Sequence, residues 1–443
     1  MKRFFAALLL TLALSTQAQA FNFGFDFGFG GKSSILALSP SATFPLTSSL
    51  SATKGTGPAV FTRSTGANFL YGGVLTNYGV NVAAYPDGGA GIAVEPGATN
   101  LALYSQDFSN AAWSKTGGNI SGTLYTSSDG TANANLFTET SAVTAYIYNT
   151  TSAINTTNSQ VFSVSGDFKY NTRRYLQFAG GFAANGFGVV IDLVNGTITA
   201  TGSTGSGVYL SSSIKLVNGY YRVTLTGHCG AILNAGYFDL FVTDVSTYTV
   251  GVPPVTPSTK SFFLSKAQIE LGSVATSYIP TTTATATRGA TGLTIPASNF
   301  PATPGWSFPI TFTPVATTGT QYIWESKVDA SNLQNMVHNG SAFVYTKRVA
   351  GTSTSVTCTQ ALTAGTAYRT LTRSNADNTF DVWLNGTKCL TNTTTSTGVP
   401  VFGTNVYLGS DSAGANGATG YLKNVNIYNK ILSDTKAVTL STP

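Results

Sequence analysis

Charge is what this 443-residue chain has least of: only 9% of its residues are Asp, Glu, Lys or Arg, and the net charge is +6. Phosphate neutralisation needs clustered Lys and Arg, and no dense basic run occurs, so the sequence speaks against nucleic acid as a partner. There are two histidines, His228 and His338, and neither is accompanied by a Gly-x-Ser-x-Gly elbow. A serine or cysteine nucleophile needs a His as base, so hydrolysis by a triad is disfavoured. The four glutamates are Glu95, Glu139, Glu270 and Glu325. Glycoside cleavage needs two carboxylates, and counting acids does not remove that reading. Glu95 and Glu270 sit inside apolar, strand-like runs, where a structural carboxylate is the simpler reading; Arg63 or Arg288 could pair with them. His228 precedes Cys229, but with one other histidine and no C-x-x-C pair a zinc site is not expected.

Long apolar runs are also missing. Nothing reaches the ~18 residues of a membrane span. The opening stretch, MKRFFAALLLTLALSTQAQA, has Lys2 and Arg3, a short apolar core and Ala18-Gln19-Ala20. It reads as a secretory signal peptide over residues 1–20, with Phe21 as the expected mature N-terminus and no membrane insertion thereafter. The expected location is extracellular. Removing Lys2 and Arg3 leaves a charge of +4. Three cysteines in an exported chain suggest one disulfide. Cys358 and Cys389 are close in sequence and both lie in strand-like runs, which leaves Cys229 as the odd one.

What is present is Thr, Ser, Asn and Gly between short alternating runs. Residues 21–31, FNFGFDFGFGG, alternate Phe with small or polar residues from Phe21 to Gly31. The period is that of a strand with one apolar face. It suggests an arm that joins subunits of a homo-oligomer by strand addition; a flexible tail is the bland alternative. The arm extends to about residue 59. From 92 to 288, strand-like runs recur at roughly ten-residue spacing with Asn195-Gly196 and Asn218-Gly219 as hairpin turns. Pro296, Pro301 and Pro304 mark 291–305 as a linker. Strand-like runs resume from 306 to 443, and a short terminal helical turn is expected near residue 432.

Two stretches carry a resemblance. The first reads Glu95-Pro96, Thr99-Asn100-Leu101, then Tyr104 to Lys115 (YSQDFSNAAWSK); the second is Ala267 to Thr281 (AQIELGSVATSYIPT) with Thr287-Arg288. Together they resemble the ends of the lectin-like modules of phage tail and virion-surface proteins. Phe61-Thr62-Arg63 loosely resembles the leader of those modules. In the last part, Thr379 to Thr387 (TFDVWLNGT), Val406 to Gly409 and Gly420 to Ser433 resemble laminin-G-like, concanavalin-A-like domains. The resemblance implies an all-β chain: two antiparallel β-sandwich (jelly-roll) domains in tandem, the module with its leader at 60–290 and the second at 306–443.

It also implies binding of a glycan or cell-surface polysaccharide, which, with the signal peptide and no recognisable catalytic set, makes an exported, non-catalytic binding protein the expected function. The alternative is a structural subunit of a virion or extracellular filament; a glycosidase or lyase is weaker. On strand alternation, Tyr175 and Gln177 share one face of a strand and are the candidates for a concave binding face, with Trp113 as a further platform or, more simply, a core residue. Trp306, Trp324 and Trp383 read as core. Related folds carry calcium at one rim. Asp411, in the oxygen-rich loop SDSAGAN, is the residue that would hold it, though one carboxylate is a thin donor set and no cofactor is otherwise expected.

Overall fold

The computed structural model describes residues 39–71, 73–86, 90–151, 160–181, 185–229, 236–253, 255–389, 402–414 and 416–443. The expected signal peptide and the arm at 21–31 lie outside them. The described chain is almost entirely antiparallel β-structure, arranged as two sandwiches, with one short α-helix at Asp434–Ser441.

The middle sandwich comes from period-two alternation on both sides of one core. Its first sheet runs Gly207–Val217, Tyr220–Cys229, Val161–Tyr170, Ser261–Leu271, Ala132–Glu139, Gly118–Ile120. The second runs Thr197–Thr204, Gly186–Asp192, Tyr175–Gly180, Gly236–Thr243, Tyr146–Thr151, Trp113–Thr116. Leu176, Phe178, Val189, Ile191 and Leu240 point inward from the second sheet and meet Phe162, Val164, Val223 and Leu225 of the first. Burying each such side chain contributes roughly 1.5–3 kcal/mol. The turn Asn218-Gly219 has positive φ at both residues (45° and 77°), as a two-residue hairpin of matching twist requires.

The other sandwich is not confined to the C-terminal part. One sheet runs Val60–Thr62, Gly292–Pro296, Asn405–Leu408, Gln321–Asp329, Asn332–His338, Ala342–Val349, Thr352–Thr359. The other runs Thr387–Lys388, Phe380–Leu384, Tyr368–Ser374, Trp306–Pro314, Gly420–Lys423, Ile92–Val94. A further leader strand, Ala42–Phe44, pairs with Val425–Ile427. Phe44, Phe61, Ile92 and Val94 therefore lie in the same core as Trp306, Phe308, Trp324 and Tyr345. The helix covers the back of the second sheet, where Ala437 and Leu432 pack on Trp383 and Tyr428; its N-cap, Ser433, accepts from the Lys436 amide.

The middle sandwich is thus an insertion within the strands of the outer one. Its entry and exit run side by side: Ala98–Asn100 pairs with Ala286–Arg288. This corrects two expected boundaries. Val60–Thr62 and Ile92–Val94 belong to the outer sandwich rather than to the module, while the hairpin Ala67–Tyr71/Val74–Tyr78 between them packs Leu75 on Val217 and Tyr278 of the middle one. Residues 291–305 are no linker, because Gly292–Pro296 is a strand paired on both edges, with Leu293 and Ile295 in the core. Pro296 ends that strand, where a missing amide donor costs nothing in the ladder. Cys358 and Cys389 form a disulfide with Cα atoms 5.4 Å apart, joining an edge strand of one sheet to an edge of the other; Cys229 is free and buried.

Candidate functional site

The two stretches that carry the lectin-like motif meet, but they make a buried polar network rather than a binding surface. Asn100 is fully buried. Its amide donates to the carbonyls of Ala267 (3.1 Å) and Ile279 (2.7 Å), and its oxygen accepts from the Ile269 amide at 3.0 Å. Glu270 accepts from Gln268 (2.6 Å) and from the Thr276 amide (2.9 Å). Glu95 accepts from the amide and hydroxyl of Ser277 at 2.9 and 2.8 Å, and Arg288 Nη1 lies 3.0 Å from its Oε2. Glu139 is held by Arg173, whose other nitrogen reaches Asp244. Three of the four glutamates are therefore committed to structure. Burial pushes the Glu270 carboxyl up from its ordinary range, against the hydrogen bonds it accepts.

The expected binding face fares differently residue by residue. Trp113 is 1% exposed; its indole donates to the Tyr104 carbonyl at 3.0 Å and packs against Phe108 and Phe238. It is a core residue, and a ring closed in on both faces has none left for a ligand. Gln177 is also buried. It clamps a strap of chain laid over the outer face, donating to the carbonyls of Thr249 (2.9 Å) and Gly251 (3.3 Å) and accepting from the Thr249 amide (2.9 Å). The assignment of Gln177 to an open binding surface is corrected on that ground. Tyr175 stays half-buried at the rim, with the Arg174 guanidinium 4.9 Å above its ring. The strap also seats Tyr248 against the sheet where Gly188 and Gly202 leave room; a Cβ at either would collide with its ring.

Beneath that strap lies Asp239, fully buried, with no hydrogen-bond partner for either oxygen. Burial holds its carboxyl well above the ordinary range. The folded state therefore binds a proton that the unfolded chain releases above about pH 4. Stability from this group is fully present below that point and is lost as pH rises toward the folded value. Asp239→Asn removes the cost of ionisation. The melting temperature of the variant should exceed that of the parent at neutral pH, with the difference closing near about pH 4. Thermal denaturation across that window checks it; a variant that melts below the parent at pH 7 refutes it.

The open polar site is on the outer sandwich. The strand Gln321–Asp329 carries one bulge that matters: Tyr322 opposes Val337 and Trp324 opposes Met336, so Ile323 is an extra residue. Ile323 and Trp324 both turn into the core. The bulge lets Tyr322 and Glu325, three apart, face the same side. Beyond it regular alternation resumes. Glu325, Asn335 and Thr346 form one row across three strands, and Lys327, Leu333 and Arg348 form the next. The loop with Asp411, Ser412 and Ala413 closes one end, and together these residues line a groove of about 290 Å³.

Glu325 is 4% exposed, and its Oε1 accepts from the Ser412 amide at 2.8 Å, which ties loop to sheet. Asp411 accepts from the Asn416 side chain at 2.7 Å. Burial first, then the negative charge of Glu325 and Asp411, raises the Tyr322 phenol above its ordinary value. Arg348 is fixed by Ser353 Oγ at 2.8 Å and the Ala330 carbonyl at 3.0 Å. This donor set does not fit calcium, which takes six to eight oxygens. Among the described residues no cluster of three or more His, Cys, Asp or Glu occurs, and Asp411 faces an amide donor. Sequence reasoning singled out Asp411 and counted Glu325 but missed the groove. The signal was there in Glu325-x-Lys327, Asn335 and Thr346-x-Arg348, polar residues at period two opposite an apolar face.

No family model matches the chain, and no curated protein matches it. Among solved structures it is similar to the CBM40 of the Ruminococcus gnavus IT-sialidase bound to alpha2,3 sialyllactose, at 14% identity over 32% of this chain and 84% of that chain, with a TM-score of 0.27. It is also similar to the native heptameric SAP-like pentraxin from Limulus polyphemus (16% identity, 34% and 75% covered, TM-score 0.28). A third is domain 4 of AbnA, a GH43 extracellular arabinanase from Geobacillus stearothermophilus, in complex with arabinotriose (16% identity, 38% and 83% covered, TM-score 0.28). Likeness at this level bears on neither ligand nor activity.

Proposed function

We propose that this chain is an exported, non-catalytic glycan-binding protein and that the groove on the outer sandwich is its binding site. The observation that carries the reading is the convergence of Tyr322, Glu325, Asn335, Thr346 and Asp411 from three strands and a loop into one groove of about 290 Å³. Sugars present hydroxyls that donate and accept at once, so they suit a mixed set of carboxylate, amide and hydroxyl groups. An aromatic side chain supplies a flat face for the ring's C–H groups. The volume is near the lower end of small-ligand pockets.

Non-catalysis rests on the other glutamates. Glu95, Glu139 and Glu270 are buried in networks, and Glu325 is itself nearly closed in and bonded to Ser412. Export rests on the opening sequence, and the disulfide suits an oxidising compartment. Among the described residues no helix is long and apolar enough to cross a membrane. The test is affinity electrophoresis of the full chain through gels cast with bacterial, plant and algal polysaccharides. At least one should retard the wild type and not an Asn335→Ala, Thr346→Ala variant of unchanged melting temperature. Release of reducing ends from a retained polymer would overturn the non-catalytic reading. Equal retardation of the variant would move the site elsewhere.

A further inference from the structure

The groove's two ends differ in what is already satisfied. At one end the carboxylates have protein donors: Glu325 takes the Ser412 amide, and Asp411 takes the Asn416 side chain. At the other end stand Lys327 and Arg348, one row along, on the two strands that flank Asn332–His338. Among the described residues neither makes an ion pair. The neighbouring acid, Asp329, takes its hydrogen bonds from Asn332 and the Ser331 amide, with the Lys327 charge near it but outside ion-pair distance. Arg348 spends Nε on Ser353 and Nη1 on the Ala330 carbonyl, which leaves Nη2 without an acceptor among the described residues. Those two bonds also hold the guanidinium in place, so little rotamer freedom is lost when an anion arrives. Leu333 lies between the two cations in the row and supplies an apolar floor.

From this we infer, building on the binding site proposed above, that the groove selects saccharides carrying a carboxylate on the sugar ring. The anion sits against Lys327 and Arg348, and the ring hydroxyls reach Asn335, Thr346 and the Glu325 and Asp411 end. The spacing suits one residue of such a polymer. Successive same-face positions on a strand are roughly 6.6–6.8 Å apart, about the distance from a ring carboxylate to hydroxyls on the far side of the same ring. A neutral sugar would fill the hydroxyl end and leave both cations solvated but unused. A cationic sugar would meet Lys327 and Arg348 at close range.

The test uses the full chain and four anionic polymers: polygalacturonate, alginate, polysialic acid and, as the sulfate arm, dextran sulfate. Each carboxylated polymer is paired with its carboxyl-reduced form. At least one carboxylated polymer should bind, its reduced form should bind at least tenfold more weakly, and affinity should fall as salt rises. Arg348→Gln and Lys327→Gln should each weaken binding about tenfold while the melting temperature is held. Binding of the reduced polymer as tightly as the parent, binding of dextran sulfate alone, or loss of no affinity in either variant overturns the carboxylate assignment and leaves the glycan site standing. Failure to bind these polymers and the neutral polysaccharides alike overturns both.

Discussion

Arg288→Met should destabilise the protein by about 3–5 kcal/mol, because it strands Glu95 as an unpaired, nearly buried charge. Arg288 is 1% exposed at the point where the inserted sandwich leaves the outer one. Its Nη2 donates to the Pro96 carbonyl at 2.8 Å, and Nη1 sits 3.0 Å from Glu95. Glu95 also orders the chain at Ser277. Loss of the guanidinium therefore strips one partner from a carboxylate that bridges entry and exit. The double variant Arg288→Met, Glu95→Gln should recover part of the loss, since the carboxylate charge is removed with its partner, while the buried Arg63 keeps its backbone carbonyl acceptors. Chemical denaturation of the three proteins measures it. A single variant within about 0.5 kcal/mol of wild type, the ordinary range for a surface change, contradicts the structural role given to the motif.

Removing the disulfide comes next in size. Cys358→Ala, Cys389→Ala opens a loop of 31 residue steps, which should lower stability by roughly 3–4 kcal/mol on the chain-entropy account. The bond joins Thr352–Thr359, at the rim of one sheet, to the chain just past Thr387–Lys388, at the rim of the other. Reductant should shift the denaturation midpoint of the wild type toward that of the double variant and leave the variant itself unmoved. Equal midpoints for oxidised wild type and variant refute the estimate.

Local patterns in the sequence carried far, and they stopped where pairing became long-range. Alternation in residues 160–170 and 174–178 placed strands now seen at Val161–Tyr170 and Tyr175–Gly180, and Asn218-Gly219 marked a turn that the backbone angles bear out. The structural reading of Glu95 also needed only its apolar setting; Arg288 was one of two candidate partners, with Arg63, because both lie next to the module's ends. The insertion was not legible. Ile92–Val94 and Gly292–Pro296 are short, and nothing in three or five residues says which sheet they join. Their partners, Gly420–Lys423 and Asn405–Leu408, are more than a hundred residues away.

The binding face shows the same limit. Tyr175 and Gln177 do lie on the outer side of a strand, but alternation cannot reveal that residues near 249 return to cover Gln177. The groove required a bulge at Ile323 and a loop that arrives at Glu325 from residue 412, and neither leaves a local mark.

The central claim is that the groove lined by Tyr322, Glu325 and Asn335 binds sugar. The most direct measurement is a glycan array probed with the full chain and with Tyr322→Ala, which removes the aromatic wall without touching the Glu325–Ser412 bond. Aromatic anchors at interfaces are commonly worth 2 kcal/mol or more, so the variant should lose roughly thirtyfold in affinity for every glycan the wild type binds. Identical array profiles for the two proteins, at equal melting temperature, would contradict the account.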